Sequence, residues 1–233
     1  PQTVVSTPAK LPTEEVIHLP YSELDELFGD DDLDGTLESA FVELFRLWGV
    51  SYRHARGNTG CSKAASEGLR CFFLKGNWVR LRTLNRPAVV SLFDNSGQEY
   101  HSLVESLDGD GVIINFGGLR RRLTMRNFVS AWSGEMIAFW RPPMFKNKAL
   151  KPGMAGNDVK WLLERMARID DHGHEINGDE YDEVLESRVR AFQRDYYLNI
   201  DGVVGEQTLV HLLTAAKEPG VPLLEQAALN QVE

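Results

Sequence analysis

The chain has 233 residues, 42% of them hydrophobic, and a formal net charge of −9. That length holds one large domain or two small ones with buried cores, and the acidic balance argues against nonspecific binding to nucleic acid. No apolar run reaches membrane-spanning length and no signal peptide opens the sequence, so it reads as a soluble piece of a longer protein.

Residues 1–22 are rich in Pro and Thr and read as a linker. The acidic cluster from Glu23 to Asp34 reads as a solvated loop, because like charges repel one another. A helix is expected next. Thr36 can cap it, Phe41, Leu44, Phe45 and Trp48 fall three and four apart, and Gly49 ends it. A short helix is expected over Ala64 to Gly68. Asn77 can cap a further turn with Trp78, Leu81 and Leu84, although Val79, Leu81 and Thr83 also alternate as in a strand. Three strands then follow, over Ala88–Phe93, Glu99–Leu107 and Val112–Phe116. Asn95-Ser96-Gly97 and Asp108-Gly109-Asp110-Gly111 provide the turns. Thr124 to Trp132 reads as helix and Met136 to Trp140 as a last strand. Arg141-Pro142-Pro143 breaks regular structure, which makes 23–143 an α+β domain with an antiparallel meander.

A second unit spans 148–216. Asn157 or Asp158 caps a helix that turns Val159, Leu162, Leu163 and Met166 inward. A polar loop from Asp170 to Glu180 separates it from a helix striped with Tyr181, Leu185, Val189 and Phe192. A third helix runs from Glu206 to about Ala215, and residues 217–233 read as a poorly ordered tail. His172 and His174 stand among Asp170, Asp171 and Glu175. A metal site is conceivable there, but no regular spacing fixes a third ligand, so none is assigned.

The second unit carries Leu150-Lys151-Pro152-Gly153 at its entrance, Val189-Arg190-Ala191-Phe192-Gln193 in the middle, and Asp201-Gly202-Val203-Val204-Gly205 with Thr208 at the end. This combination resembles the three-helix peptidoglycan-binding domain family. The glycines and valines suit tight turns and a small core. Ligand contact falls to exposed polar and aromatic groups. Arg190 could pair with a stem-peptide carboxylate, and Gln193, Asn199 and Asp201 could bond to amides. Trp161, Tyr196 and Tyr197 could stack on sugar or aliphatic chain. Cys61 and Cys71 stand ten positions apart and could be two reduced buried thiols or a small closed loop. A wall-binding module implies an oxidising compartment and so favours the disulfide, which would stabilise by roughly 2–3 kcal/mol.

In the first domain, Tyr100-His101-Ser102-Leu103-Val104 followed by Val112-Ile113-Ile114-Asn115 resembles the histidine and orienting-residue strands of C39-like cysteine peptidases, which have a papain-like fold. The matching helix opens with Asp34-Gly35-Thr36-Leu37 and holds no cysteine, so the nucleophile is missing. His101 and Asn115 are then degenerate remnants, and no catalytic residue is expected. The joined domains, with Asn85-Arg86-Pro87-Ala88-Val89 and Trp132-Ser133-Gly134, resemble the periplasmic region of the general secretion pathway protein A family. That resemblance implies a periplasmic location for a protein held in the inner membrane. Its implied partners are peptidoglycan, general secretion pathway protein B and the secretin, with self-association on the wall and no nucleic acid. ATP and magnesium belong to a cytoplasmic ATPase domain outside this sequence, and no cofactor is expected within it. The competing expectation is a wall or peptide hydrolase aimed by its binding domain.

Overall fold

The computed structural model describes residues 19–53, 59–109, 111–145, 149–169 and 178–225. The elements in chain order are α1 (Leu24–Phe28), α2 (Leu37–Leu47), α3 (Gly60–Ser66), β1 (Arg70–Lys75), α4 (Trp78–Leu84), β2 (Ala88–Phe93), β3 (Glu99–Asp108), β4 (Gly111–Phe116), β5 (Leu119–Thr124), α5 (Met125–Ala131), β6 (Trp132–Trp140), α6 (Asn157–Ile169), α7 (Glu183–Asp195) and α8 (Glu206–Ala215). The architecture is α+β, as expected from the sequence.

Six strands form one antiparallel sheet in the order β1-β6-β2-β3-β4-β5. Strands β2 to β4 are the expected meander, β5 extends it by one strand that was not expected, and β6 returns to pair with both β2 and β1. Side chains alternate across the sheet, so each face has its own core. Val89, Leu103 and Phe139 face α2 and α3, where Phe41, Leu44, Phe45 and Ala64 cover them. Ala88, Val90, Leu92, Val104 and Ile114 face the other way and pack with Leu81, Leu84 and Phe128. Two helical caps fall where the sequence places them: Thr36 accepts from the Ser39 amide and Asn77 from the Arg80 amide, whereas Asn157 and Asp158 lie inside α6 rather than capping it. The Asn77 cap settles its ambiguous segment as helix.

Two further expectations need correction. The acidic cluster is not a free loop. It contains α1, whose Leu27 is buried, and its carboxylates find partners on β5, on α5 and in the β2–β3 turn. Arg121 donates to Asp30 at 2.9 Å, Asn127 to Glu23 at 3.2 Å and Asn95 to Asp25 at 3.1 Å. The segment after Lys217 is not loose where it is described. Leu224 is fully buried, its carbonyl accepts from the Leu107 amide and its amide donates to the Asn85 carbonyl. Residues 226–233, like the linker residues 1–18, lie outside the described residues, as do Asp170, Asp171, His172, His174 and Glu175.

The two domains share one interface, and a cation sits inside it. Arg86 follows α4 and is 1% exposed. Its guanidinium donates to Thr214 Oγ1 at 2.7 Å and Val210 O at 3.1 Å on α8, and to Phe139 O at 3.2 Å on β6. Burial pushes its pKa down to about 9, yet it stays charged at neutral pH. His211, beside it on α8, is also buried. Burial lowers its pKa to about 4, opposed by a hydrogen bond with the Thr83 backbone and reinforced by the Arg86 and Arg80 charges. Tyr196 is its aromatic neighbour at 5.7 Å.

Arg86→Ala removes a donor from three acceptors and leaves a hole between the domains. It should lower unfolding free energy by about 3 kcal/mol and split chemical denaturation into two transitions. His211 gives a pH dependence of definite sign. Its native pKa of about 4 lies below the ordinary 6.5, so between those values only the unfolded chain takes up the proton. Stability should fall as pH drops from about 7 to about 4, by about 3 kcal/mol, and His211→Phe should flatten that slope in denaturation measured across the range.

Candidate functional site

The α7–α8 connection is built around Gln193. Its side chain is 1% exposed and reaches from α7 into the loop. Nε2 donates to Asp201 Oδ1 at 2.9 Å, Val203 O at 3.0 Å and Thr208 Oγ1 at 3.3 Å, while Oε1 accepts from the Gly202 amide at 2.9 Å. Asp201 also accepts from the Val203 amide and from Asn199 Nδ2. Burial pulls the Asp201 pKa up, but these hydrogen bonds outweigh it and hold the carboxylate below its usual range. Arg190 donates to Ile200 O and pairs with Glu186, and the buried Tyr181 hydroxyl donates to Gly202 O. Gly202 has φ +71°, and a Cβ there would meet the Glu186 side chain at 3.0 Å. Val204 finally pairs with Leu150 by two backbone bonds at the domain entrance.

This geometry sorts the sequence candidates. Gln193 has no polar atom left for a ligand, and its role is corrected to that of the loop's internal strut. Tyr196 is stacked on Phe192 at 4.3 Å and half-buried. Trp161 is taken up by Phe145, edge-on at 4.9 Å, and by the Arg165 guanidinium 4.3 Å above its ring. These two aromatics serve packing. The remaining candidates, Arg190 on α7 and Tyr197, Asn199 and Asp201 on the loop, are brought together and exposed. Ile200, missed in the sequence reading, joins them at 49% exposure. Tyr197 is 74% exposed and sits at φ +55°, a left-handed conformation that costs a tyrosine roughly 1 kcal/mol. The Leu198 amide bonded to Gln193 O at 2.7 Å holds it there.

The first domain keeps a cleft but not a linked pair. His101 lies on β3, where its amide donates to Gly35 O at 2.7 Å and its Nε2 is 3.6 Å from Glu99. Asn115 sits opposite Leu103, not His101. It is 1% exposed, donates to Glu43 and Glu105, and accepts from the Gly118 amide. Its side chain thus braces α2 to β3. At the opening of α2, Thr36 Oγ1 donates to Asp34 at 2.7 Å and Ser39 Oγ to backbone carbonyls. Cys61 and Cys71 form a disulfide joining α3 to β1, as expected, and neither thiol is free. No group of metal-ligating side chains occurs among the described residues.

Comparison with known proteins agrees with these two units. Residues 155–212 match the family model "Putative peptidoglycan binding domain", and residues 32–142 match "GspA, peptidase C39-like domain". The chain carries the paired domains of a general secretion pathway protein A-type periplasmic region. General secretion pathway protein A of Aeromonas hydrophila is 28% identical over 189 residues, which cover 81% of this chain and 34% of that protein. The "Putative general secretion pathway protein A" of Escherichia coli K12 is 27% identical over 195 residues, 82% of this chain and 38% of that one. The chain thus spans about a third of the length of these relatives. A crystal structure of a periplasmic domain of the EpsAB fusion protein, from the Vibrio vulnificus type II secretion system, superposes with a TM-score of 0.54. It is 25% identical, with 85% of this chain and 97% of that one covered.

Gln193→Ala should cost about 2–3 kcal/mol, because the Gly202 amide and the Asp201 carboxylate both lose a buried partner. Thermal denaturation should report the loss, and hydrogen exchange should show the loop amides from 198 to 204 opening first.

Proposed function

We propose that this region is a non-catalytic periplasmic module that grips peptidoglycan through the α7–α8 loop, within an inner-membrane ATPase that assists secretin assembly in type II secretion. The observation that carries the loop assignment is Tyr197, an aromatic ring held exposed in a strained conformation by a fully bonded loop. Strain of this kind persists where the surroundings enforce it, and it concentrates at ligand-contacting positions. Tyr197 and Ile200 offer apolar surface to a sugar face or an aliphatic stem chain. Asn199 and Arg190 offer donors to its amides and carboxylates.

The non-catalytic reading is supported by the sequestered cysteines and by the engagement of Asn115 away from His101. General secretion pathway protein B is the proposed partner, since the solved relative is an AB fusion protein. The secretin is the proposed client. Copies linked on a repeating polymer would gain avidity, which favours self-association on the wall.

Cosedimentation with purified peptidoglycan tests the site. Tyr197→Gly relieves the strained φ, so melting temperature should hold or rise while retention falls about threefold to tenfold. Unchanged retention would move the contact elsewhere. Incubation with wall fragments should release no soluble product, and turnover lost in His101→Ala would establish the hydrolase reading instead.

A further inference from the structure

We infer that the first domain has a docking edge for an extended segment of a second protein, in which acidic residues flank an apolar one. The edge is β1. It pairs with β6 on one side, and no described residue bonds to its other side. An open strand of six residues presents a row of unsatisfied backbone groups that another strand can complete. Such edges are usually guarded by charge. Here the guards stand only at the ends, as Arg70 and Lys75, with Phe73 between them 66% exposed.

Phe73 does not stand alone. It faces Ile137 across β6, which faces Val89 on β2, so the three residues form one row across the sheet. Lys75 and Glu135 begin the next row, joined by an exposed 3.4 Å ion pair. These rows floor a groove of about 540 Å³ that also takes in Ser91 and His101. Rows two residues apart along β1 are about 7 Å apart, the spacing of alternate side chains on an added strand. The arriving strand would set an aromatic or branched residue against Phe73 and reach over Ile137. It would set one carboxylate against Lys75 and another against Arg70. Lys75 would then lie between Glu135 and the incoming acid.

The same charges argue against a second copy of this chain. Two β1 strands paired antiparallel about a twofold axis would set Phe73 on Phe73 and Lys75 opposite Cys71, which gives neither Arg70 nor Lys75 an opposite charge. An acidic strand meets the edge with attraction at those two places.

The test uses the whole chain and the peptide acetyl-Glu-Thr-Phe-Thr-Val-Glu-amide, whose antiparallel register places its Phe on Phe73. NMR titration should shift the amides of residues 70–75, and their outward-facing amides should gain protection from exchange. Two N-methylated peptides, blocked at alternate residues, should behave oppositely: one set abolishes binding and the other spares it, the signature of a ladder. Phe73→Ala should weaken binding about threefold to fivefold. Lys75→Glu should weaken it similarly and should favour a peptide with Lys in place of Glu. Both positions are exposed on the surface, so the variants should keep the native melting temperature. Shifts confined to other elements, equal behaviour of the two N-methylated peptides, or a dimer that Phe73→Lys dissolves would each overturn the proposal.

Discussion

The arrangement of the whole molecule hangs on a guanidinium buried where no carboxylate meets it among the described residues. Arg86 crosses from the first domain to α8, and its three acceptors are a hydroxyl and two carbonyls. Burying an unpaired cation is expensive, so the site would not form if the domains docked in any other way. Val210 and Phe139 each direct a carbonyl inward, and only one relative placement of α8 and β6 aims both at the same group. The interface thereby gains uniqueness from a term that subtracts from its stability. Apolar burial supplies the offset, because the core on that face of the sheet continues from Leu84 and Leu107 into Leu209, Leu213 and Leu224.

A fixed interface changes what a wall anchor can do. If the peptidoglycan contact lies on the α7–α8 loop, then the wall and the first domain are connected through packed helix rather than through the segment after Pro143. The strap from Val221 to Glu225 adds a second tie, for its backbone bonds to Asn85 and Leu107 and Glu225 pairs with Arg82 at 3.0 Å. Position on the wall then sets the orientation of the sheet and of its open edge. A flexible tether would give attachment without orientation.

The sequence disclosed the elements better than it disclosed their partners. Period and caps located α2, α4 and α6 to α8, since those signals are local. The strands β1 and β5 went unseen for a shared reason: both are edge strands, and Arg70 with Lys75, or the run Arg120-Arg121-Arg122, masks the alternation that a half-buried strand shows. The acidic cluster misled in the complementary way, because its partners, Arg121 on β5 with Asn95 and Asn127, are brought to it by the fold. Arg86 was visible only as a member of a motif. Nothing in Asn85-Arg86-Pro87 says that the side chain is inside, since its acceptors are more than fifty residues away in sequence.

The candidate site shows the same limit in sharper form. Gln193, Asp201 and Thr208 have the chemistry of ligand contacts, and a motif alone cannot tell a group that awaits a ligand from one already satisfied. Counting acceptors separates them. The Gln193 amide meets three acceptors and one donor inside the fold, and Asp201 spends both oxygens on its own loop. What they hold in place is an exposed surface of Tyr197, Asn199 and Ile200, residues that could vary widely without disturbing the strut beneath. Under the proposed wall contact, recognition and folding fall to different residues of one segment. The rigid part explains why such a small domain can present a strained tyrosine at all. The same division holds in the cleft of the first domain, where Asn115 braces α2 through Glu43 and Glu105 while His101 and Phe73 face the open groove. A fold that spends its polar centre on bracing is free to change the lining of the groove without losing the sheet.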